Sequence, residues 1–259
     1  MAQRALCQKH FISSTGKGTL LHNMCYQLQI IGCNHERFSL KIRKLFIFIM
    51  NVVLLPLNHK IHFMQTTVKH FTEQNVDEAF KLARATKKAV LIDFWSVGCK
   101  GCLRMDELTY EDESVQEYLE QNYVLVKYNT GNLTKAFSDK YLVHALIWTP
   151  ALFMYTPDGR VIRQVAGYLS PHQFIAELTL GKAMLQVRIG QPAAAIPLLQ
   201  ELPYSSEYPS LHQEALYWAG VAAFFAAHRD FDALVPYWQE LRSSYPGSVW
   251  AEKADFLPA

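Results

Sequence analysis

The chain has 259 residues and carries few cysteines, few charges and no obvious nucleotide loop. Only 19% of its residues are charged while half are hydrophobic, which excludes a mostly disordered or low-complexity chain. A structural zinc normally needs four ligands. Residues 64–259 supply two cysteines, Cys99 and Cys102, and their histidines (His70, His144, His172, His212, His228) show no pairing at ligand spacing. Gly16-Lys17-Gly18-Thr19 lacks the first glycine of a phosphate loop, and no dinucleotide fingerprint occurs. The apolar run at residues 45–57 has thirteen residues. As a helix it spans about 20 Å, short of a hydrocarbon core of roughly 30 Å.

Acid is also scarce at one end. Residues 1–63 hold eight Lys/Arg and a single acid, Glu36, while residues 64–259 hold 17 bases and 22 acids. The net charge of +2 is therefore the sum of a +7 piece and a −5 piece. So abrupt a shift marks two different physical roles. In the first piece Lys41, Arg43 and Lys44 precede the apolar run, as in a secretory signal. The cluster begins 40 residues in, however, and no small-x-small cleavage site follows Leu57. Residues 1–63 are expected to be a poorly ordered or targeting extension. Cys7, Cys25 and Cys33 lack zinc-like spacing.

A compact protein is expected from Met64 onward. Residues 66–71 suit a short strand, and Asn75 or Asp77 caps a helix reaching Thr86 with Val76, Ala79, Phe80 and Ala83 on one face. The run AVLIDFW at 89–95 is apolar except for Asp93, the pattern of a buried, parallel strand. A long helix to about Gln121 is expected after Cys102. Strand 123–128, helix 133–142 and strand 150–155 come next, and the turn Thr156-Pro157-Asp158-Gly159 leads into an antiparallel strand at 160–165. Ser170-Pro171 then starts a helix, serine as cap and proline in the first turn. The order β-α-β-α-β-α-β-β-α predicts an α/β fold, a mixed sheet with helices on both faces.

Cys99-Lys100-Gly101-Cys102 falls where a buried strand hands over to a helix. Unpaired N–H groups and the helix dipole there favour an anion, and thiolate is the reactive form of cysteine. Lys100 adds a charge of the right sign. Cys99 is then suited to attack a disulfide and Cys102, one turn in, to resolve the mixed disulfide. The same spacing also fits half a zinc site or two inert core cysteines. Asp93 lies six residues before Cys99. An acid in an apolar strand is costly without work or a partner, and burial raises its pKa, so it is placed to move protons for Cys102. The other reading has Asp93 facing solvent at the strand end. Pro150 opens a strand although it has no ladder donor, which marks a special position.

Residues 90–102, the Thr149-Pro150 step and the hairpin leading to Val165-Ala166-Gly167-Tyr168 resemble the thioredoxin family over roughly residues 66–182. The stretch after Cys102, with residues 108–110 and 115–119, is most similar to thioredoxin-like domains of the thiol:disulfide interchange type. The resemblance implies a three-layer α/β/α sandwich. It implies Cys99 as nucleophile, Cys102 as resolving thiol, Asp93 as assisting acid and a cis-proline loop at Thr149-Pro150 facing the disulfide. Trp95, Gly98, Lys100, Gly101, Thr149 and Pro150 are then expected along the substrate surface. Three departures stand out. Gly98 replaces the tryptophan that usually precedes the first cysteine, Lys100-Gly101 replaces Gly-Pro, and the helix-kinking proline after the motif is missing.

Residues 183–259 read as helices broken at Gly190-Gln191, Pro203, Arg229-Asp230 and Tyr245-Pro246-Gly247, with helices at 193–202, 208–227 and 231–244 and another from Ser248. Leu216-Tyr217-Trp218-Ala219-Gly220, Ala233, Tyr237 and Pro246 resemble a tetratricopeptide repeat. That resemblance implies a peptide or protein partner; the other reading is a small helical appendage.

Three parts are thus expected: 1–63, a thioredoxin-like 64–182 and a helical 183–259. The expected function is thiol–disulfide oxidoreduction on protein substrates, with a reducing or oxidising partner protein. The only redox group expected is the Cys99–Cys102 pair, with no metal and no other cofactor. A thioredoxin-like scaffold recruiting partners through its tail is the alternative. Mild acidity gives no reason to expect nucleic acid. Because no structural disulfide is implied beyond residue 63, a cytoplasmic location is expected, with a periplasmic or membrane-anchored one through residues 45–57 as the alternative.

Overall fold

The computed structural model describes residues 69–256. The expectations for residues 1–63, including the apolar run at 45–57, lie outside the described residues. The described residues all fall within one compact unit. Among the described residues no helix is long and apolar enough to cross a membrane.

The elements are β1 (Phe71–Thr72), α1 (Val76–Thr86), β2 (Ala89–Trp95), α2 (Lys100–Arg104), a π-helical turn (Met105–Thr109), α3 (Glu113–Asn122), β3 (Tyr123–Asn129), α4 (Lys135–Tyr141), β4 (Ala151–Tyr155), β5 (Val161–Ala166), α5 (Pro171–Arg188), α6 (Pro192–Gln200), α7 (Pro209–Ala226), α8 (Val235–Ser244) and α9 (Val249–Lys253). The five strands lie in the order β1-β3-β2-β4-β5. The first three are parallel, while β4 runs antiparallel to β2 and β5 antiparallel to β4. The sheet is mixed, as the turn at residues 156–159 predicts, with Gly159 at φ +91° in that turn.

Strand alternation sorts the core into two layers. Ala89 and Leu91 of β2, Tyr123 and Leu125 of β3, and Leu152 and Met154 of β4 pack under the π-helical turn, α3 and α5. Val90, Ile92 and Phe94, with Val124, Val126, Phe153 and Tyr155, face α1 and α4 on the other side. Because β2 is central and covered on both faces, its sequence is apolar without alternation.

Two helices differ from their expected extent. The stretch after Cys102 is not one helix to Gln121. It passes through the π-helical turn, stops at Tyr110 and restarts where the Asp112 carboxylate accepts the Ser114 and Val115 N–H groups at 2.9 and 3.3 Å. Helix α8 begins at Val235 rather than 231. Pro236 has no N–H to give and is tolerated only in a first turn.

The tail is built on α5. One side of this helix, with Phe174, Ile175, Leu178 and Leu185, packs on the sheet. The other, with Ala176, Leu180 and Ala183, packs on Ala195 and Leu199 of α6 and on Ala215 and Ala219 of α7. A helix apolar all round is one that is buried all round. The expected boundary at residue 182 therefore falls inside α5, which serves both parts. Helices α7 to α9 close a second small core around Leu216, Trp238 and Leu241. Tyr217, Trp218, Phe224, Tyr237 and Trp238 all pack in these cores.

A buried ion cluster fastens the tail to the sheet. Arg163 of β5 donates to Glu177 of α5 at 2.6 Å and, through both terminal nitrogens, to Glu214 of α7 at 2.7 and 2.9 Å. All three side chains are largely buried. Burial holds Glu177 above the usual carboxylate range even against the pull of Arg163. Replacing Arg163 by Met leaves two buried carboxylates without a cation, a loss of about 3–5 kcal/mol. In the variant Glu177, held above the usual carboxylate range by burial, loses the cation that pulls it down, so the folded state binds more protons than the unfolded one and the loss shrinks as pH falls. Urea midpoints of wild type and Arg163→Met should therefore differ more at pH 7 than at pH 5; an equal difference at both contradicts this account.

Candidate functional site

Strand β2 ends at Trp95, and the chain then turns through Ser96, Val97 and Gly98 into α2. Gly98 has φ +79°, in the left-handed region that glycine enters without strain. This local geometry suits the glycine found where the family usually has tryptophan. Cys99 is the N-cap residue, and its Sγ accepts the Cys102 N–H at 3.1 Å. Cys99 and Cys102 are joined as a disulfide with their Cα atoms 5.3 Å apart. Cys99 is half-buried and Cys102 buried, at 6% exposure. Cys99 is thus the more accessible residue of the pair. Among the described residues no cluster of His, Cys, Asp or Glu suited to a metal ion occurs.

The Thr149–Pro150 bond is cis, and Pro150 packs against the start of α2. A Cβ added at Gly101 would lie 2.9 Å from Pro150 Cδ, so the absence of a side chain there lets helix and proline loop meet. The loop is pinned twice more. Thr149 Oγ1 and Ser96 Oγ share a hydrogen bond of 2.7 Å, and Gly167 N–H donates to the Pro150 carbonyl at 2.8 Å. Gly101, Thr149 and Pro150 therefore come together with the disulfide. Trp95 sits half-buried at the end of β2, and Lys100 is exposed at the first position of α2.

Asp93 does not face solvent at the strand end: it is 1% exposed. Its position in β2 puts it on the layer covered by the segment after Cys102, in line with Leu91. Tyr110 Oη donates to Asp93 Oδ2 at 2.9 Å. Lys127 Nζ lies 3.9 Å from the same oxygen and makes a short ion pair with Asp106. Oδ1 is buried and, among the described residues, has no hydrogen-bond partner. Burial raises the Asp93 carboxyl above the usual range, while Lys127 and the Tyr110 hydrogen bond pull it down and Asp106 pushes it up. Such a group is fitted to take up and release a proton.

Sequence reasoning missed Tyr110, Lys127, Asp106 and Ser96. Lys127 had a signal: it is the fifth residue of seven in β3, as Asp93 is in β2, and the two strands pair in that register. Exposed apolar side chains also flank the site in the chain. Val97 is 85% exposed, and Ile147 and Trp148, just before Thr149-Pro150, are 91% and 69% exposed.

The packing of Gly101 and the burial of Asp93 each have a measurable consequence. Gly101→Ala forces Pro150 to move, and a displacement of a few tenths of an ångström to about 1 Å slows thiol exchange by about tenfold or more; an unaltered rate would show that the contact is idle. Asp93→Asn removes a carboxyl whose folded pKa is raised, and hence an ionisation the fold resists. The folded wild type binds more protons than its unfolded chain between the unfolded and folded pKa values, so wild-type stability declines as pH rises through that window. Asn has no such penalty, and its gain in chemical-denaturation midpoint over wild type should be larger at pH 8 than at pH 4.

Comparison with known proteins agrees with this architecture. The family described as Thioredoxin-like domain matches residues 76–182. The thiol:disulfide interchange protein DsbD of Actinobacillus pleuropneumoniae is 28% identical over 98 residues, covering 37% of this chain and 16% of that protein. DsbD of Campylobacter jejuni is 22% identical over 104 residues, covering 40% and 18%. The aligned part is thus less than a fifth of these relatives' length. Among solved structures, a thioredoxin from Thermus thermophilus aligns with TM-score 0.37 and 20% identity over 49% of this chain and 92% of its own. The oxidised C-terminal domain of Neisseria meningitidis DsbD aligns with TM-score 0.34 and 18% identity over 41% and 93%. The relatives correct one expectation. A cytoplasmic location conflicts with them, since DsbD proteins are periplasmic or membrane-associated. The low cysteine count misled because a redox pair needs no further disulfide in either compartment. Residues 76–182 match the thioredoxin-like domain family and are similar to part of the thiol:disulfide interchange protein DsbD, and a helical tail comes after them.

Proposed function

We propose that this chain is a thiol–disulfide oxidoreductase acting on protein disulfides and dithiols, with Cys99 as nucleophile and Cys102 as resolving thiol. The observation that carries the reading is the Cys99–Cys102 disulfide at the start of α2, its first cysteine half-buried and its second buried. In the reducing direction the Cys99 thiolate attacks one sulfur of a substrate disulfide. A mixed disulfide forms and the other substrate sulfur leaves as a thiolate. Cys102 then gives its proton to Asp93, directly or through one water, and its thiolate attacks Cys99 Sγ. The second substrate thiolate is released. The two substrate thiolates take up two protons, one returned by Asp93 and one from water in place of the proton Cys99 gave up on ionising, so the substrate gains two electrons and two protons as a dithiol and the pair becomes the disulfide. A partner dithiol returns it by the reverse exchange. With an oxidising partner the same steps run the other way.

Lys100, beside Cys99, favours the thiolate. Cis-Pro150, Thr149 and Trp95 border the approach to the sulfur, and Gly98 leaves it open. The redox group is the cysteine pair itself, and the reading calls on no other cofactor. The exchange steps need nothing from the tail, where the tetratricopeptide resemblance implies a peptide or protein partner. The aromatic and alanine faces of α6 to α8 are packed largely on one another and on α5.

The test is reduction of insulin by dithiothreitol. Wild type should accelerate precipitation of the insulin chains, and Cys99→Ser should not exceed the uncatalysed rate. Cys102→Ser should accumulate a mixed disulfide through Cys99, visible by mass spectrometry. Equal acceleration by wild type and Cys99→Ser would overturn the reading.

A further inference from the structure

Tyr110 is fully buried, and a buried phenol hydroxyl needs a partner. It has found one of the few ionisable groups in the core. We propose that Tyr110 is a positioning residue for the exchange reaction: its hydroxyl holds Asp93 by Oδ2 and leaves Oδ1 as the atom that carries the proton. This inference rests on the oxidoreductase reading above and assigns a role that Asp93 and the cysteines do not fill.

The two oxygens of the carboxyl have unlike surroundings. Both close partners of Asp93 lie on one oxygen: the Tyr110 hydroxyl at 2.9 Å and the Lys127 ammonium at 3.9 Å both address Oδ2. Oδ1 is buried and finds no hydrogen-bond partner among the described residues. A carboxyl that accepts a hydrogen bond on Oδ2 takes its proton on the other oxygen. Which oxygen is free is thus decided by Tyr110.

The tyrosine is itself held rigidly. Its backbone N–H donates to the Met105 carbonyl at 2.9 Å, closing the π-helical turn. Its ring meets Phe174 of α5 edge-on, with centroids 5.5 Å apart, and carries the Lys127 ammonium 4.3 Å from its centroid. The extra residue of a π turn rotates the next part of the chain relative to a regular helix. Here the residue delivered to Asp93 stands eight positions after Cys102 in the same segment. The charged groups bearing on Asp93 are Lys127 from β3, Asp106 from the π-helical turn and His70 from the segment before β1. Its register neighbour on β4, Leu152, is apolar.

A hydrogen bond donated to a carboxylate favours the charged form, so removing only the hydroxyl keeps Asp93 protonated to higher pH. In Tyr110→Phe the Asp93 midpoint should rise by about one pH unit. The midpoint is read by carbon-13 NMR of the aspartate carboxyls, with the Asp93 signal assigned by its loss in Asp93→Asn. The pH profile of insulin reduction should move in the same direction. Thr109→Val is the control. It deletes a neighbouring buried hydroxyl, bonded to the Leu169 carbonyl at 2.6 Å, and should lower stability without moving the midpoint.

An unchanged midpoint in Tyr110→Phe, or an equal shift in Thr109→Val, overturns the inference. Should Tyr110→Phe fail to fold, wild type still decides. The Tyr110 ring carbon bearing the hydroxyl must titrate with the Asp93 midpoint, and a flat response overturns the proposal. The NMR midpoint does not depend on turnover. An active wild type whose midpoint ignores Tyr110 refutes this inference alone, whereas an inactive wild type refutes the oxidoreductase reading.

Discussion

Two opposite charges, Asp93 and Lys127, stand side by side on the paired strands β2 and β3, in a layer that is otherwise mostly apolar. Neither is tolerable in that layer alone, because an isolated buried ion costs several kcal/mol. Asp93 is answered by Lys127 and by the Tyr110 hydroxyl, and Lys127 by Asp93 and by Asp106. The group so assembled lies beneath the segment that carries Cys102. The arrangement fixes much else: the register of β2 on β3, the face on which α2 must lie, and the interruption of helix that brings Tyr110 down to the carboxyl. A proton-accepting group with a shifted affinity is the chemical result.

Much of this is legible in the residues alone. The run AVLIDFW announces a buried strand because a strand covered on both faces has no polar alternation. Thr156-Pro157-Asp158-Gly159 announces a hairpin because Gly159 has to take positive φ. The cysteine pair, Asp93 and Pro150 all fall at one end of the sheet. The break at residues 105–112 is not legible, because a π-helical turn has no side-chain signature. Asp112, able to cap the helix at Glu113, is the available hint. Tyr110 and Asp106 are hidden for the same reason. Their contacts depend on how far the chain rotates within that turn, which a pattern of apolar residues does not record. Pro236 likewise carries the start of α8 in plain view, outweighed by the apolar residues before it.

The tail shows a different kind of limit. Its helices are legible from Gly190, Pro203, Arg229-Asp230 and Pro246-Gly247, since breaks are local. Its attachment is not. That depends on α5 having two apolar sides at once, with Phe174 and Leu178 toward the sheet and Ala176, Leu180 and Ala183 toward α6 and α7. On a linear reading such a helix looks simply hydrophobic. Small residues on its second side let the neighbouring helices approach closely, and Gly181 does the same toward the sheet, where a Cβ would collide with Met154. Arg163 of the edge strand β5 reaches across to Glu177 and Glu214.

The shared helix α5 ties the redox end of the molecule to its tail in one further respect. Two modules joined by a linker lose structure independently, each at its own midpoint. Here neither layer can shed α5 without stripping the other of its wall, so sheet and tail constitute a single cooperative unit, and the temperature at which the disulfide site loses its shape is set in part by alanines that never approach a sulfur atom.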